Sequence, residues 1–194
     1  MKPVVIPGGV AAGMSAASVI KRGIPEQAVM VFGREEYISY GACGMPYFIG
    51  GEIESHENLS VLTPEKAREK RGIDVRTGHE VTRIDRNRKV VEVRELASGS
   101  TFEQEYEKLV LATGARAVIP PIPGSDMEGV LPLKELEDSV QLDGFLHERA
   151  PRRAVIVGGG YIGVEAAEAF RSRGIEVTVV EALPRILNIV DEDL

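Results

Sequence analysis

The sequence predicts an α/β fold: two dinucleotide-binding (Rossmann-like) units, an antiparallel β-meander inserted into the first, and a second unit that is incomplete. Three observations predict it. An apolar run, Val4-Val5-Ile6, leads into Gly8-Gly9-Val10-Ala11-Ala12-Gly13, and another, Ala154-Val155-Ile156-Val157, leads into Gly158-Gly159-Gly160-Tyr161-Ile162-Gly163. Each glycine turn is followed by a helix-length stretch and a further apolar run. Between the two units lie segments in which apolar and polar residues alternate, the period of half-exposed strands.

Val4–Ile6 reads as a short buried strand, and a helix is expected from Ala11 to Arg22. Ala11, Ala12, Ala16 and Ala17 let that helix pack closely on a sheet, and Gly23 and Pro25 end it. Ala28–Phe32 is the next buried strand. Strand, glycine turn, helix and strand together aim helix N-terminal amides at a pyrophosphate. Two features depart from the pattern: Val10 stands at the middle glycine position, and Gly33, followed by Arg34, stands where a ribose-binding acid is expected. A tight turn without a ligand is the alternative reading of this first copy.

Thr63-Pro64-Glu65 has the N-cap, first-turn proline and early acid of a helix start, and Gly72 closes that helix after Arg71. Ile73–Arg76, Glu80–Ile84 and Lys89–Val93 are expected to form the antiparallel meander. Tyr106–Gly114 reads as a return to a buried strand, and Pro120, Pro121 and Pro123 stiffen a connector. In the second unit the glycine pattern is complete. Its helix runs to about Arg173, and the strand Val177–Val180 ends at Glu181, 23 residues after Gly158. An acid at that distance suits the adenosine ribose hydroxyls of a dinucleotide. With two strands and one helix, Val155, Val157, Val177 and Val179 are expected to be poorly covered.

The stretch Ser39–Gly51 holds the single cysteine, Cys43, among glycines, a proline and aromatic residues. Locally, a reactive thiol and a small buried hydrophobe are equally good readings. The position five residues after Cys43 is Phe48, so no C-x-x-x-x-C pair exists, and a cycling Cys43 must take its sulfur partner from a substrate. His56, His79 and His147 read as solvated surface histidines, and Tyr47 and Phe48 as packing.

Hydrophobic content of 43% with 27% charged residues is that of a soluble globular protein. A net charge of −7 argues against nucleic-acid binding. No apolar run approaches the ~20 residues of a membrane helix, and the apolar start is too short for a secretory leader. One cysteine excludes an internal disulfide framework, and the lack of a Cys/His cluster argues against a metal site. A cytoplasmic location is expected.

Gly8–Ala17 together with Ser39–Gly51, and the Leu111-Ala112-Thr113-Gly114 strand end between the two units, resemble the FAD- and NAD(P)-dependent pyridine nucleotide-disulfide oxidoreductases. The resemblance is to their single-cysteine branch of coenzyme A (CoA) disulfide reductases, CoA-dependent persulfide reductases and NADH oxidases. It implies an FAD-binding domain over 1–115, a connector over 116–150, and the start of an NAD(P)-binding domain over 151–194. It further implies that Gly8, Gly9, Val10, Ala11, Ala12 and Gly13 hold the FAD pyrophosphate, with Arg34 and Val81 on the adenosine side and Thr113 and Gly114 at the flavin. Gly158, Gly160 and Gly163 would hold the second dinucleotide, with Glu181 at its ribose and Glu165 near its reactive end. Ser15, Arg22, Ser39, Ala42 and Arg71 fall at positions used around CoA, although Lys21, Arg22, Lys70 and Arg71 also suit helix C-termini.

On this resemblance NAD(P)H would reduce FAD, and Cys43 would reduce a CoA disulfide or persulfide. The alternatives are an NADH oxidase or peroxidase cycling Cys43 through a sulfenic acid, and an inactive nucleotide-binding module. Val10 stands where peroxidase-type members carry a histidine, which favours the thiol substrate. Family members form homodimers and continue well past the equivalent of Leu194, so the chain is expected to be an N-terminal fragment that by itself holds FAD weakly and does not turn over.

Overall fold

The computed structural model describes residues 2–191; the last three residues of the expected 151–194 unit lie outside them. In chain order the elements are β1 (Val4–Pro7), α1 (Ala11–Gly23), β2 (Val29–Phe32), α2 (Met45–Gly50), α3 (Pro64–Arg71), β3 (Ile73–Arg76), β4 (His79–Asp85), β5 (Val90–Glu95), β6 (Thr101–Glu105), β7 (Lys108–Leu109), α4 (Leu136–Arg149), β8 (Arg153–Val157), α5 (Tyr161–Ser172) and β9 (Glu176–Val180). Short 3-10 turns lie at Ala42–Gly44 and His56–Leu59. The chain divides into two compact units. One holds the chain up to Gly41 together with Ser60–Arg116; the other holds Ala42–Leu59 and the chain from Ala117 onward.

In the first unit β3-β2-β1-β7 form a parallel sheet. Successive side chains of a strand face opposite ways, and β1 is buried throughout. Val4 and Ile6 face the helices, packing with Val29, Val31, Ile73, Val75, Met14, Ala17 and Ala67. Val5 faces the meander with Phe32, Val91, Val93 and Tyr106. Each such fully buried aliphatic side chain contributes about 1.5–3 kcal/mol. Gly13 and Gly8 set the helix against the strand end. A Cβ on Gly13 would lie 1.8 Å from the Gly8 carbonyl oxygen, and one on Gly8 would lie 1.9 Å from the Ala112 oxygen.

In the second unit β8 and β9 pair in parallel. Ala154, Ile156 and Val177 pack on a core of Ile49, Leu142, Leu146, Ala169, Phe170 and Ile175. The opposite face is open: Val155 and Val157 are 66% and 65% exposed, and Val180 is 51% exposed. Val177 and Val179 are half-buried, contrary to expectation, on the face of β9 that turns toward the helices, while Val180 points outward.

Several expectations need correction. Ile73–Arg76 belongs to the parallel sheet beside β2, and the meander is β4-β5-β6. Alternation marks a strand with unequal faces, and an edge strand of a parallel sheet satisfies it equally well. The return strand is just Lys108–Leu109, with Leu111 63% exposed beyond it. Its register nonetheless continues, since Val110 N donates to Val5 O and Ala112 N to Pro7 O, both at 3.0 Å. Residues 136–149, assigned to a connector, form α4, which opens with a Glu135/Asp138 capping box. The cysteine segment is a 3-10 turn running into a short helix.

Two glycines inside helices predict opposite effects. Gly144 of α4 has nothing within 4 Å of a Cβ, so Gly144→Ala is expected to stabilise by about 0.5–1 kcal/mol. Gly13→Ala forces α1 off the Gly8 carbonyl and is expected to cost about 2 kcal/mol or more. Urea unfolding of the two variants checks both signs.

Candidate functional site

In the first unit the glycine turn lies at the carboxyl end of β1, where parallel sheets bind ligands. Val10 caps α1 without a side-chain hydrogen bond, so the first-turn amides are open to a ligand or water. Gly8–Gly13 form this turn, with Ala112 against Gly8 and Thr113 and Gly114 next in sequence after it. At the end of β2, Gly33 N donates to Arg76 O, and His79 N donates to Gly33 O, each at 2.9 Å. Arg34 is exposed beside it. Glu35 accepts from the Tyr40 hydroxyl at 3.0 Å. Val81 is packed among the residues between sheet and meander.

Beside this turn a cavity of about 300 Å3 is lined by one face of α1, by Ser39, Tyr40 and Val61, and by Arg71. The α1 face is Ala11, Met14, Ser15, Ser18, Val19 and Arg22, spaced as a helix repeats. Of the residues expected at one site, Ser15, Arg22, Ser39 and Arg71 are thus brought together, whereas Ala42 does not line this cavity. Ser39 takes φ of 47°, an uncommon conformation for serine that costs about 1–3 kcal/mol. It is held there because Ser39 N donates to Gly9 O at 3.1 Å and Val61 N donates to Ser39 O at 2.9 Å. The helix-end cations divide their work. Lys21 donates to the carbonyls of Pro25 and Gln27 beyond α1, whereas Arg22 lines the cavity. Arg68 pairs with Asp74 at 2.9 Å, whereas Arg71 Nη1 donates to Ser18 Oγ at 2.8 Å.

In the second unit Gly163 repeats the close approach, its Cβ position lying 2.0 Å from Gly158 O, while Gly160 has open space. Gly160 caps α5 without a side-chain bond. The Glu181 carboxylate reaches back to this turn. Leu183 N donates to Oε1 at 2.9 Å and Gly159 N to Oε2 at 2.7 Å. These backbone bonds, that from Leu183 foremost, with a further one from Ala182, hold its pKa below the usual carboxylate value. Glu165 is exposed on α5.

Ala42 and Cys43 belong to this second unit. Cys43 is a free, exposed thiol, not a buried hydrophobe. Its neighbour Gly44 lies close under Leu59, a Cβ there falling 2.3 Å from Leu59 Cδ2. Phe48 and Ile49 of α2 are buried, and Ser172 Oγ of α5 donates to Ala169 O at 2.8 Å and to Gly50 O at 3.3 Å. Tyr47, expected to pack, is 54% exposed. Two histidines also depart from a solvated role: His56 meets the Phe48 ring at 6.0 Å, and His79 stands between Phe32 and Phe102.

Ser18, Met14, Tyr40 and Val61 were not singled out by sequence. The signal for the first two was available, since 11, 14, 15, 18, 19 and 22 share a helical face. No pattern foretells Tyr40 and Val61, which arrive through the chain's return at Ser60, bridged to Tyr40.

The arrangement has known counterparts. An NADH oxidase of Methanocaldococcus jannaschii is 36% identical over 196 residues, which cover 100% of this chain and 43% of that protein. A CoA-dependent NAD(P)H sulfur oxidoreductase of Pyrococcus abyssi is 43% identical over 186 residues, covering 96% of this chain and 41% of the other. The crystal structure of reduced Bacillus anthracis CoADR-RHD superposes with a TM-score of 0.94 at 35% identity, over 98% of this chain and 34% of that one. The chain thus spans less than half the length of these relatives. Residues 2–194 match the family described as pyridine nucleotide-disulphide oxidoreductase, and the chain belongs to that family.

Proposed function

We propose that this chain carries the first glycine turn, the redox cysteine and the start of the nicotinamide site of an NAD(P)H-dependent flavoprotein that reduces CoA disulfide or CoA persulfide. The observation that carries the reading is the cavity of the first unit, where Arg22, Arg71, Ser15 and Ser39 meet beside apolar Val19 and Val61. Phosphate groups suit the two guanidinium groups, and an amide-linked thiol arm suits a mixed polar and apolar wall. Similarity to a CoA-dependent relative supports the same ligand.

The residues present fit FAD. An uncapped helix start meets the end of β1 with no side chain between them, so a pyrophosphate can approach the amides of residues 10–13. FAD, when bound, supplies the two-electron link between NAD(P)H and a sulfur centre. Cys43, as thiolate, attacks a sulfur of the CoA disulfide; the Cys43–S–S–CoA bond forms as the substrate S–S bond breaks and one CoA thiolate leaves. Two electrons then return Cys43 to the thiolate and release the second CoA. Val10 offers no acid or base beside the turn, which favours a thiol leaving group over a peroxide.

Three outcomes are expected in the full-length enzyme. Cys43→Ser abolishes disulfide turnover while the bound flavin spectrum persists, and mass spectrometry of the wild type finds a CoA adduct on Cys43. A serine variant that keeps its rate overturns the mechanism.

Glu181 favours NADH over NADPH in kcat/KM. The carboxylate retains acceptor capacity beyond its three backbone bonds for a ribose hydroxyl, and its charge repels a 2′-phosphate. Glu181→Ala narrows the preference; a wild-type preference for NADPH removes the role.

Gly33→Glu tightens FAD by about 0.5–1.5 kcal/mol. A Cβ there has ordinary clearance, 3.7 Å from Gly9 N, and Glu35 is engaged by Tyr40. Flavin titration of the apoenzyme measures the change, and unchanged affinity shows that another group already serves the ribose.

A further inference from the structure

We infer that Ser18 is a positioning residue: its hydroxyl fixes the Arg71 guanidinium so that the remaining N–H fork reads a phosphate in the cavity. This rests on the reading of that cavity as the CoA site and names the device by which it grips the anionic end. Ser18 is 7% exposed on the cavity face of α1. Serine has no merit of its own in a helix interior.

The hydroxyl instead accepts from Arg71 Nη1 at 2.8 Å, across 53 residues of sequence. Among the described residues, Ser18 is the hydrogen-bond partner of the Arg71 side chain. The C-terminus of α3 is closed by Gly72, whose N–H reaches Arg68 O, and Arg68 rather than Arg71 pairs with Asp74. A guanidinium carries five N–H donors in a planar fork. Ser18 takes one on Nη1 and leaves Nη2 and Nε, the edge that binds two phosphate oxygens in parallel. An arginine standing alone on a helix surface samples many rotamers; one held at a single nitrogen presents that edge in advance.

Steady-state kinetics of the full-length enzyme test this with two disulfides, CoA disulfide and pantethine, the same thiol arm without phosphates. Ser18→Ala is expected to raise KM for CoA disulfide about tenfold, equivalent to ~1.4 kcal/mol, leaving kcat and the KM for pantethine unchanged. Ser18→Thr, which keeps the acceptor oxygen, restores the KM. In an Arg71→Ala background Ser18→Ala has no further effect. The proposal is overturned if Ser18→Ala leaves the KM for CoA disulfide unchanged, raises both KM values alike, or adds to Arg71→Ala. If Arg22→Ala and Arg71→Ala each leave the KM for CoA disulfide unchanged, the CoA reading of the cavity fails, and this inference with it.

Discussion

Everything in the first unit depends on backbone meeting backbone without an intervening side chain. Gly8, Gly13 and the Ala112 carbonyl crowd into a space where a single added Cβ would overlap an oxygen. That approach sets the amino end of α1 against the end of β1 and draws the 110–112 segment alongside. Since α1 also forms one wall of the cavity, its placement decides where Ser15, Ser18 and Arg22 stand. The second unit repeats the constraint at Gly158 and Gly163. The same physics therefore places two helix starts at two strand ends, each with its first amides left to a ligand.

Charge is distributed with similar economy. Cations at the ends of α1 and α3 satisfy the helix dipoles whatever else they do, yet their side chains take different partners. Lys21 and Arg68 serve the fold, one through backbone carbonyls and the other through Asp74. Arg22 and Arg71 turn to the cavity. In the second unit the carboxylate of Glu181 is held by amides rather than by a cation, which keeps it ionised and oriented at the glycine turn.

The cysteine is placed by packing on both sides of it in sequence. Gly44 fits under Leu59, and α2 buries Phe48 and Ile49 while its last carbonyl meets Ser172 of α5. The thiol itself remains exposed.

The sequence by itself determined the two glycine turns, their strands and helices, the lone thiol and the acid at position 181, because each is written in local terms: a spacing, a cap or a forbidden side chain. Ser15, Arg22, Ser39 and Arg71 could be named as a group by their resemblance to a family, but their meeting in one cavity is a tertiary fact. Local pattern could not assign Ile73–Arg76 to the parallel sheet, since alternation describes a strand's two faces and not its neighbours. Nor could it cover Val177 and expose Val180, which depends on where α4 and α5 lie. The contact of Ser18 with Arg71 joins residues 53 positions apart. No periodicity carries that information, and it arises when α3 packs beside α1 on the sheet.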